Sequence, residues 1–261
     1  VRARPLALIG PELDALLAPL HDLLRAENLD LWPVPVRCDD PARTLTALGD
    51  LGFAGALLGR SVQETMLDAA ARSTLEARRA GRADALNLTA GGYEAGYALE
   101  EALQRSLEAA HFNALGARLL VVGAGGALAA GAQLARLGFA SVTVAADDLP
   151  DAQAALRGLP AGVKAYATSL RQEALAATAV HSDLIVNVGG SAGLPPAWLQ
   201  PYHTLLDLEE RPELHAALQR AGGSGLSAQD VRARRLGLRL AQVAGRSPDA
   251  DALREIALLE G

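Results

Sequence analysis

The segment Leu119-Leu-Val-Val-Gly123-Ala124-Gly125-Gly126-Ala127-Leu128 combines residue types that can hold a phosphate. An apolar run ends in glycines, and a helix of small residues starts at once. Gly123 permits a tight turn, and Gly125 lets a pyrophosphate approach the backbone. The first amides of the helix then offer N–H donors and the positive end of the helix dipole. Leu128 stands where a GxGxxG fingerprint has its third glycine, so the match is GxGG in a strand-turn-helix setting. Asp147 follows Gly125 by 22 residues, at the end of the next apolar run. A carboxylate there accepts from a ribose 2′-hydroxyl and repels a 2′-phosphate. The neighbouring Asp148 reads as the cap of the following helix. The pattern predicts a bound dinucleotide, NAD in preference to NADP, with a purely structural turn and no bound nucleotide as the alternative. An S-adenosylmethionine-binding, methyltransferase-like loop is the third reading, but such loops usually carry an acidic residue where Val122 stands.

Other chemistry is sparse. Lys164 is the single lysine among 24 basic residues, and Cys38 the single cysteine, which excludes an intramolecular disulfide and a cysteine-based zinc site. His21, His111, His181, His203 and His215 lack ligand spacing, so no metal is predicted. Ser61 and Ser191 lie outside any GxSxG elbow. A net charge of −6 argues against a phosphate-neutralising surface for nucleic acid. With neither a long apolar N-terminal run nor a membrane-length span, the expected place is the cytoplasm.

The elements that must position these residues follow from hydrophobic period. Strands are predicted at 6–9, 29–36, 52–58 and 85–89, helices at 13–26 and 41–51, and one long helix over Tyr93–Ala110. Strand and helix then alternate from Arg118 to Leu208. Helices are expected over 212–220, 228–244 and 249–259, with the glycine-rich 221–225 as a spacer. Strands alternating with helices imply an α/β protein with parallel sheets covered on both faces. Only nine residues are aromatic, so Ala, Leu and Val must build the cores. The expected division is an α/β substrate-type domain, 1–112, a Rossmann-like domain, 113–224, and helices, 225–261, that return to the first domain.

The chain resembles the shikimate dehydrogenase family over nearly its whole length. Gly52-Phe-Ala-Gly55 resembles the start of the strand leading to that family's catalytic lysine, and Ala85-Leu-Asn87 its Ala-Val-Asn. Asp183-Leu-Ile-Val-Asn187 is similar to its Asp-Leu-Val-Val-Asn, Leu206-Asp207-Leu with Pro212 to its Asp-Leu-x-Tyr-x-Pro, and Gly225-Leu-Ser-Ala-Gln229 to its Met-Leu-x-x-Gln. The resemblance implies a small-molecule ligand in the cleft between two domains, NAD(P)-dependent oxidoreduction, and Gly123–Ala127, Asp147, Asn187 and Val188 as the cofactor-binding residues. It is compatible with a monomer or a homodimer.

The departures bear on activity. The family's Ser-x-Ser-Pro reads Leu16-Leu-Ala18-Pro19, its lysine position falls on Gln63, and its aspartate falls near Gly96. Glutamine cannot exchange a proton near neutral pH, so the general acid-base pair is missing. Arg60, Gln63, Asn87, Glu94 and Gln229 remain as substrate-pocket candidates, with Arg60 and Glu94 as an acid-base or anion-binding set or as an ordinary solvated pair. The expected function is that of a divergent family member inactive towards shikimate. The alternative is an active NAD-dependent dehydrogenase of another small hydroxy acid.

Overall fold

The computed structural model describes residues 3–189 and 194–259. Its chain divides into two compact units, Val1–Ala102 with Gln229–Gly261, and Leu103–Ala228.

In the first unit β1 (Arg4–Ile9), β2 (Leu31–Val36) and β3 (Gly55–Leu58) run parallel, linked through α1 (Leu17–Ala26) and α2 (Pro41–Asp50). The Asp40 side chain caps α2 by accepting from the Arg43 amide at 3.1 Å, with Pro41 in the first turn where its missing N–H costs nothing. Successive residues of β1 serve opposite cores. Leu6 and Leu8 pack with Leu20 and Leu24 of α1, whereas Ala7 and Ile9 pack with Leu48 of α2 and Met66 of α3 (Gln63–Ala69). Two buried faces are why the strand reads as an unbroken apolar run. Chain order reverses between β1 and β3, because β2 lies on one side of β1 and β3 on the other. The Arg4 amide donates to the Asp30 carbonyl at 2.9 Å, which turns the even-numbered β2 amides toward β1. At odd positions, Pro33 and Pro35 among them, the backbone nitrogen points away from β1.

The helix predicted over Tyr93–Ala110 is corrected. After β4 (Arg72–Ser73), α4 (Leu75–Ala80) and β5 (Ala85–Thr89), the chain turns at Ala90-Gly91 and returns as β6 (Gly92–Gly96), and only Leu99–Ala109 is helical, α5. Buried Tyr93 and Ala95 flank half-buried Glu94, a period of two hidden by the apolar helix that follows. The first sheet, β2-β1-β3-β5-β6-β4, is accordingly mixed, with β5 antiparallel to both neighbours. Leu236, Leu240 and Val243 of α10 (Ala228–Ala244) and Leu253 and Ile256 of α11 (Ala250–Ala257) complete the Leu6 core, so the C-terminal helices do return to the first domain.

The second unit holds β7 (Arg118–Val122), β8 (Ser141–Ala146), β9 (Ala165–Ser169), β10 (Leu184–Asn187), β11 (Thr204–Asp207) and β12 (Ser224–Leu226). All are parallel, in the order β9-β8-β7-β10-β11-β12. That is the 3-2-1-4-5-6 order of doubly wound nucleotide folds, with its reversal between β7 and β10. The helices are α6 (Gly125–Ala132), α7 (Leu149–Ala155), α8 (Gln172–Val180) and α9 (Pro212–Ala221). Leu120, Ile185 and Leu205 pack against Leu175 of α8 and Leu214 and Leu218 of α9. The glycine-rich 221–225 is more than a spacer, since its last two residues open the edge strand β12. Among the described residues no helix is long and apolar enough to cross a membrane.

Candidate functional site

Two groups of residues lie at the carboxyl ends of the two sheets, where open α/β sheets place ligands. In the second sheet, β7 ends at Val122 and the buried Gly123 follows. A Cβ on Gly123 would lie 2.4 Å from the Gly189 carbonyl oxygen and 2.5 Å from Cγ2 of Val188, so only glycine fits between β7 and β10. Ala124 and Gly125 are exposed, Ala124 is extended (φ −145°, ψ 163°), and α6 begins directly. No side chain caps α6, which leaves its first amides to a ligand or to water. Gly126, Ala129 and Ala130 are buried, and small residues let the helix sit close to the sheet. Asp147 is exposed immediately after β8, and Asp148 occupies the N-cap position of α7, although its side chain makes no capping hydrogen bond.

Asn187 is buried at the end of β10, where its side-chain amide donates to Oδ1 of Asp207 in the register position alongside. Asp207, fully buried, also accepts from the amides of Glu209 (3.2 Å) and Arg211 (2.8 Å). Asn187 therefore locks the ends of β10 and β11, and Val188 packs under the glycine turn. Asp207 was singled out in sequence only as part of a motif. Its distinguishing signal is a lone acid ending an apolar strand.

In the first sheet the candidates separate. Gln63, 5% exposed, donates through Nε2 to the Leu58 carbonyl at 3.2 Å. Nη2 of Arg239, itself 3% exposed, reaches the same carbonyl at 3.3 Å, and its Nε donates to the Asp84 carbonyl at 2.9 Å. The Asp84 carboxylate is wholly buried, accepts from the Ala98 amide, and binds Nε of Arg235 at 2.7 Å. The Arg235 guanidinium lies 5.2 Å from the centre of the Tyr97 ring. Burial raises the Tyr97 pKa above its usual value, against the opposing pull of Arg235. None of Asp84, Tyr97, Arg235 and Arg239 was anticipated. A legible signal was Arg235 and Arg239 at i, i+4 on a helix whose other inward residues are apolar.

Asn87 and Glu94 face each other across β5 and β6, two residues back from the end of β6 at Gly96. Glu94 pairs with Arg72 at 3.9 Å rather than with Arg60. Gln229 donates to the Arg254 carbonyl at 3.2 Å, tying α10 to α11. Arg60 is exposed in the 3-10 turn Arg60–Val62 after β3, beside the Ser61 amide and hydroxyl, which both donate to the Glu12 carboxylate at 2.7 and 3.0 Å. Burial opposes ionisation of Glu12. The donors from Ser61, its own amide and the nearby Arg60 charge outweigh that penalty and hold its pKa below the usual value. Ser191 lies outside the described residues. Among the described residues no group of three or more His, Cys, Asp or Glu could hold a metal ion.

No protein-family model matches the chain. It is 31% identical over 243 residues to a shikimate dehydrogenase (NADP(+)) of Geobacter sulfurreducens, covering 85% of this chain and 84% of that one. The quinate dehydrogenase of Corynebacterium glutamicum, solved with NAD, superposes with a TM-score of 0.85 at 21% identity, covering 99% of both chains. The 5-ketofructose reductase of a Gluconobacter strain superposes with a TM-score of 0.82 at 15% identity, covering 99% of this chain and 98% of that one. These last two likenesses carry the fold, which by itself does not choose a substrate.

Proposed function

The chain belongs to the shikimate dehydrogenase family, and on that premise we propose that its second domain binds NAD(H) while its first no longer oxidises shikimate. The observation that carries this reading is Gln63. It stands where the resemblance expects the proton-transferring lysine, and its amide is committed to the Leu58 carbonyl. Positioned acid-base groups contribute about 10²–10⁴-fold to such reactions. Leu16 and Ala18 supply no hydroxyl where the family has its serines. The test is shikimate oxidation by the purified protein with NAD and with NADP. Turnover near that of an ordinary dehydrogenase refutes the proposal.

When bound, the dinucleotide supplies a hydride acceptor or donor. Gly123 and Gly125 would admit its pyrophosphate to the first amides of α6, and Asp147 would accept from the adenosine ribose. Asp147 favours NAD(H), whose 2′-hydroxyl it can bind, over NADP(H), whose 2′-phosphate it repels. Calorimetry with NADH and NADPH checks this, and Asp147→Arg should reverse the order. Tighter NADPH binding in the parent, or an unchanged order in the variant, refutes it.

The charged cluster of Asp84, Arg235 and Arg239 in the first domain supports a second reading, an active NAD-dependent dehydrogenase of another small hydroxy acid. Hydride transfer from a panel of such alcohols to NAD distinguishes it from a ligand-binding protein without turnover.

A further inference from the structure

The reversal point of the first sheet lies between the carboxyl ends of β1 and β3, and a side chain of the protein already occupies it. A glycine follows each strand, Gly10 after β1 and Gly59 after β3. A Cβ on Gly59 would fall 2.5 Å from Cδ of Glu12, and one on Gly10 would fall 2.9 Å from its Oε2. The Glu12 carboxylate therefore lies directly on both strand ends. It is bound there as an external acid would be, with the Ser61 amide on one oxygen at 2.7 Å and the Ser61 hydroxyl on the other at 3.0 Å. Arg60 acts on it electrostatically. Glu12 comes from the 3-10 turn Pro11–Leu16, 49 residues away from Ser61 in sequence, so this is no local turn motif.

We propose that Ser61 and Arg60 form a carboxylate-binding site and that Glu12 fills it as an internal ligand, closing it to external carboxylic acids. Two donors on separate oxygens form an arrangement that favours a carboxylate over neutral or cationic groups, and the charge of Arg60, next in sequence to Ser61, acts in the same sense. The paired glycines remove the Cβ atoms that would hold a carboxylate away. The consequence for substrate choice is direct. In the intact protein an acid entering this crevice meets a carboxylate that already holds the donors.

The proposal deepens the reading that shikimate is not turned over, and its test needs neither catalysis nor nucleotide. Thermal midpoints of the parent and of Glu12→Ala are measured in sodium formate and in sodium chloride at equal concentration, roughly 100 mM. In the variant, formate should raise the midpoint above the chloride value by about 3 °C, and in the parent the two salts should act alike. Adding Ser61→Ala or Arg60→Gln to the variant should diminish the difference, the backbone amide of residue 61 remaining as a donor. If Glu12→Ala does not fold, Glu12→Ser takes its place, since its short side chain cannot reach Ser61. Equal behaviour of the two salts in a folded variant overturns the proposal, as does a formate effect that neither added substitution diminishes. Absence of an NADH-dependent midpoint shift, by contrast, defeats the cofactor reading and leaves this one standing.

Discussion

Gln63 shows how one substitution ties chemistry to packing. Its amide shares the Leu58 carbonyl with the buried Arg239 guanidinium. A lysine at that position would place an ammonium beside a second cation in a site almost closed to water. Gln63→Lys should therefore destabilise the protein by about 1–3 kcal/mol and restore no shikimate oxidation. The measurements are urea midpoints and NAD reduction. Recovery of activity by this single change would show that the pocket is otherwise intact. That position 63 holds a glutamine was legible in the sequence, but its surroundings were not, because Asp84, Arg235 and Arg239 meet only through the fold, 151 and 155 residues apart. Asn87, Glu94 and Gln229 show the other side of this limit. Residue type suggested them for a pocket, whereas the register that sets Asn87 beside Glu94 and the bond by which Gln229 ties α10 to α11 are set by the fold.

The strand-turn-helix at Gly123–Ala132 was legible as an element, since apolar run, glycine turn and small-residue helix are local signals. The β5–β6 hairpin was not, because a five-residue strand against an apolar helix carries too short a period to stand out. The observed backbone also selects the mutation that can test nucleotide binding. Gly125 has φ +62°, so valine there strains the turn with or without a ligand. Ala124 is exposed, extended and at the uncapped N-cap of α6. Ala124→Asp should stabilise the unliganded protein by about 0.5–2 kcal/mol, because aspartate is a preferred cap and alanine a poor one. The same carboxylate would take the amides that a pyrophosphate needs and repel it. The expected result is a higher midpoint without NADH and loss of the NADH-dependent rise. A variant that keeps the NADH shift would show that the loop does not hold the phosphates.

Across the whole molecule the titrating groups set the response to acid. The Arg118 guanidinium hydrogen-bonds the Asp183 carboxylate, and with the Arg118 amide this outweighs burial and holds the Asp183 pKa below its usual value of 3.8. Glu12 is lowered in the same sense from 4.5. Both contribute stability that is present above the unfolded pKa and lost as pH falls through the folded one. His203, buried, has its pKa lowered from 6.5 chiefly by desolvation, so the unfolded chain binds a proton first and stability begins to decline as pH drops below about 6.5. His203→Asn, which can still accept from the Gln200 amide, should flatten the decline between roughly pH 5 and 7 while leaving the steeper loss below pH 4. Midpoints across that range check it, and an unchanged slope assigns the decline to other groups.

Pro33 and Pro35 bear on behaviour in concentrated solution. Their nitrogens lie on the free rim of β2, where another chain would look for N–H donors. The opposite rim, β4, is two residues long. Neither rim of this sheet offers a template on which a second molecule could extend it, so crowding or partial heating should not propagate β-structure from here. Replacing both prolines by threonine should make the protein scatter light at a lower temperature, while its unfolding at high dilution stays reversible.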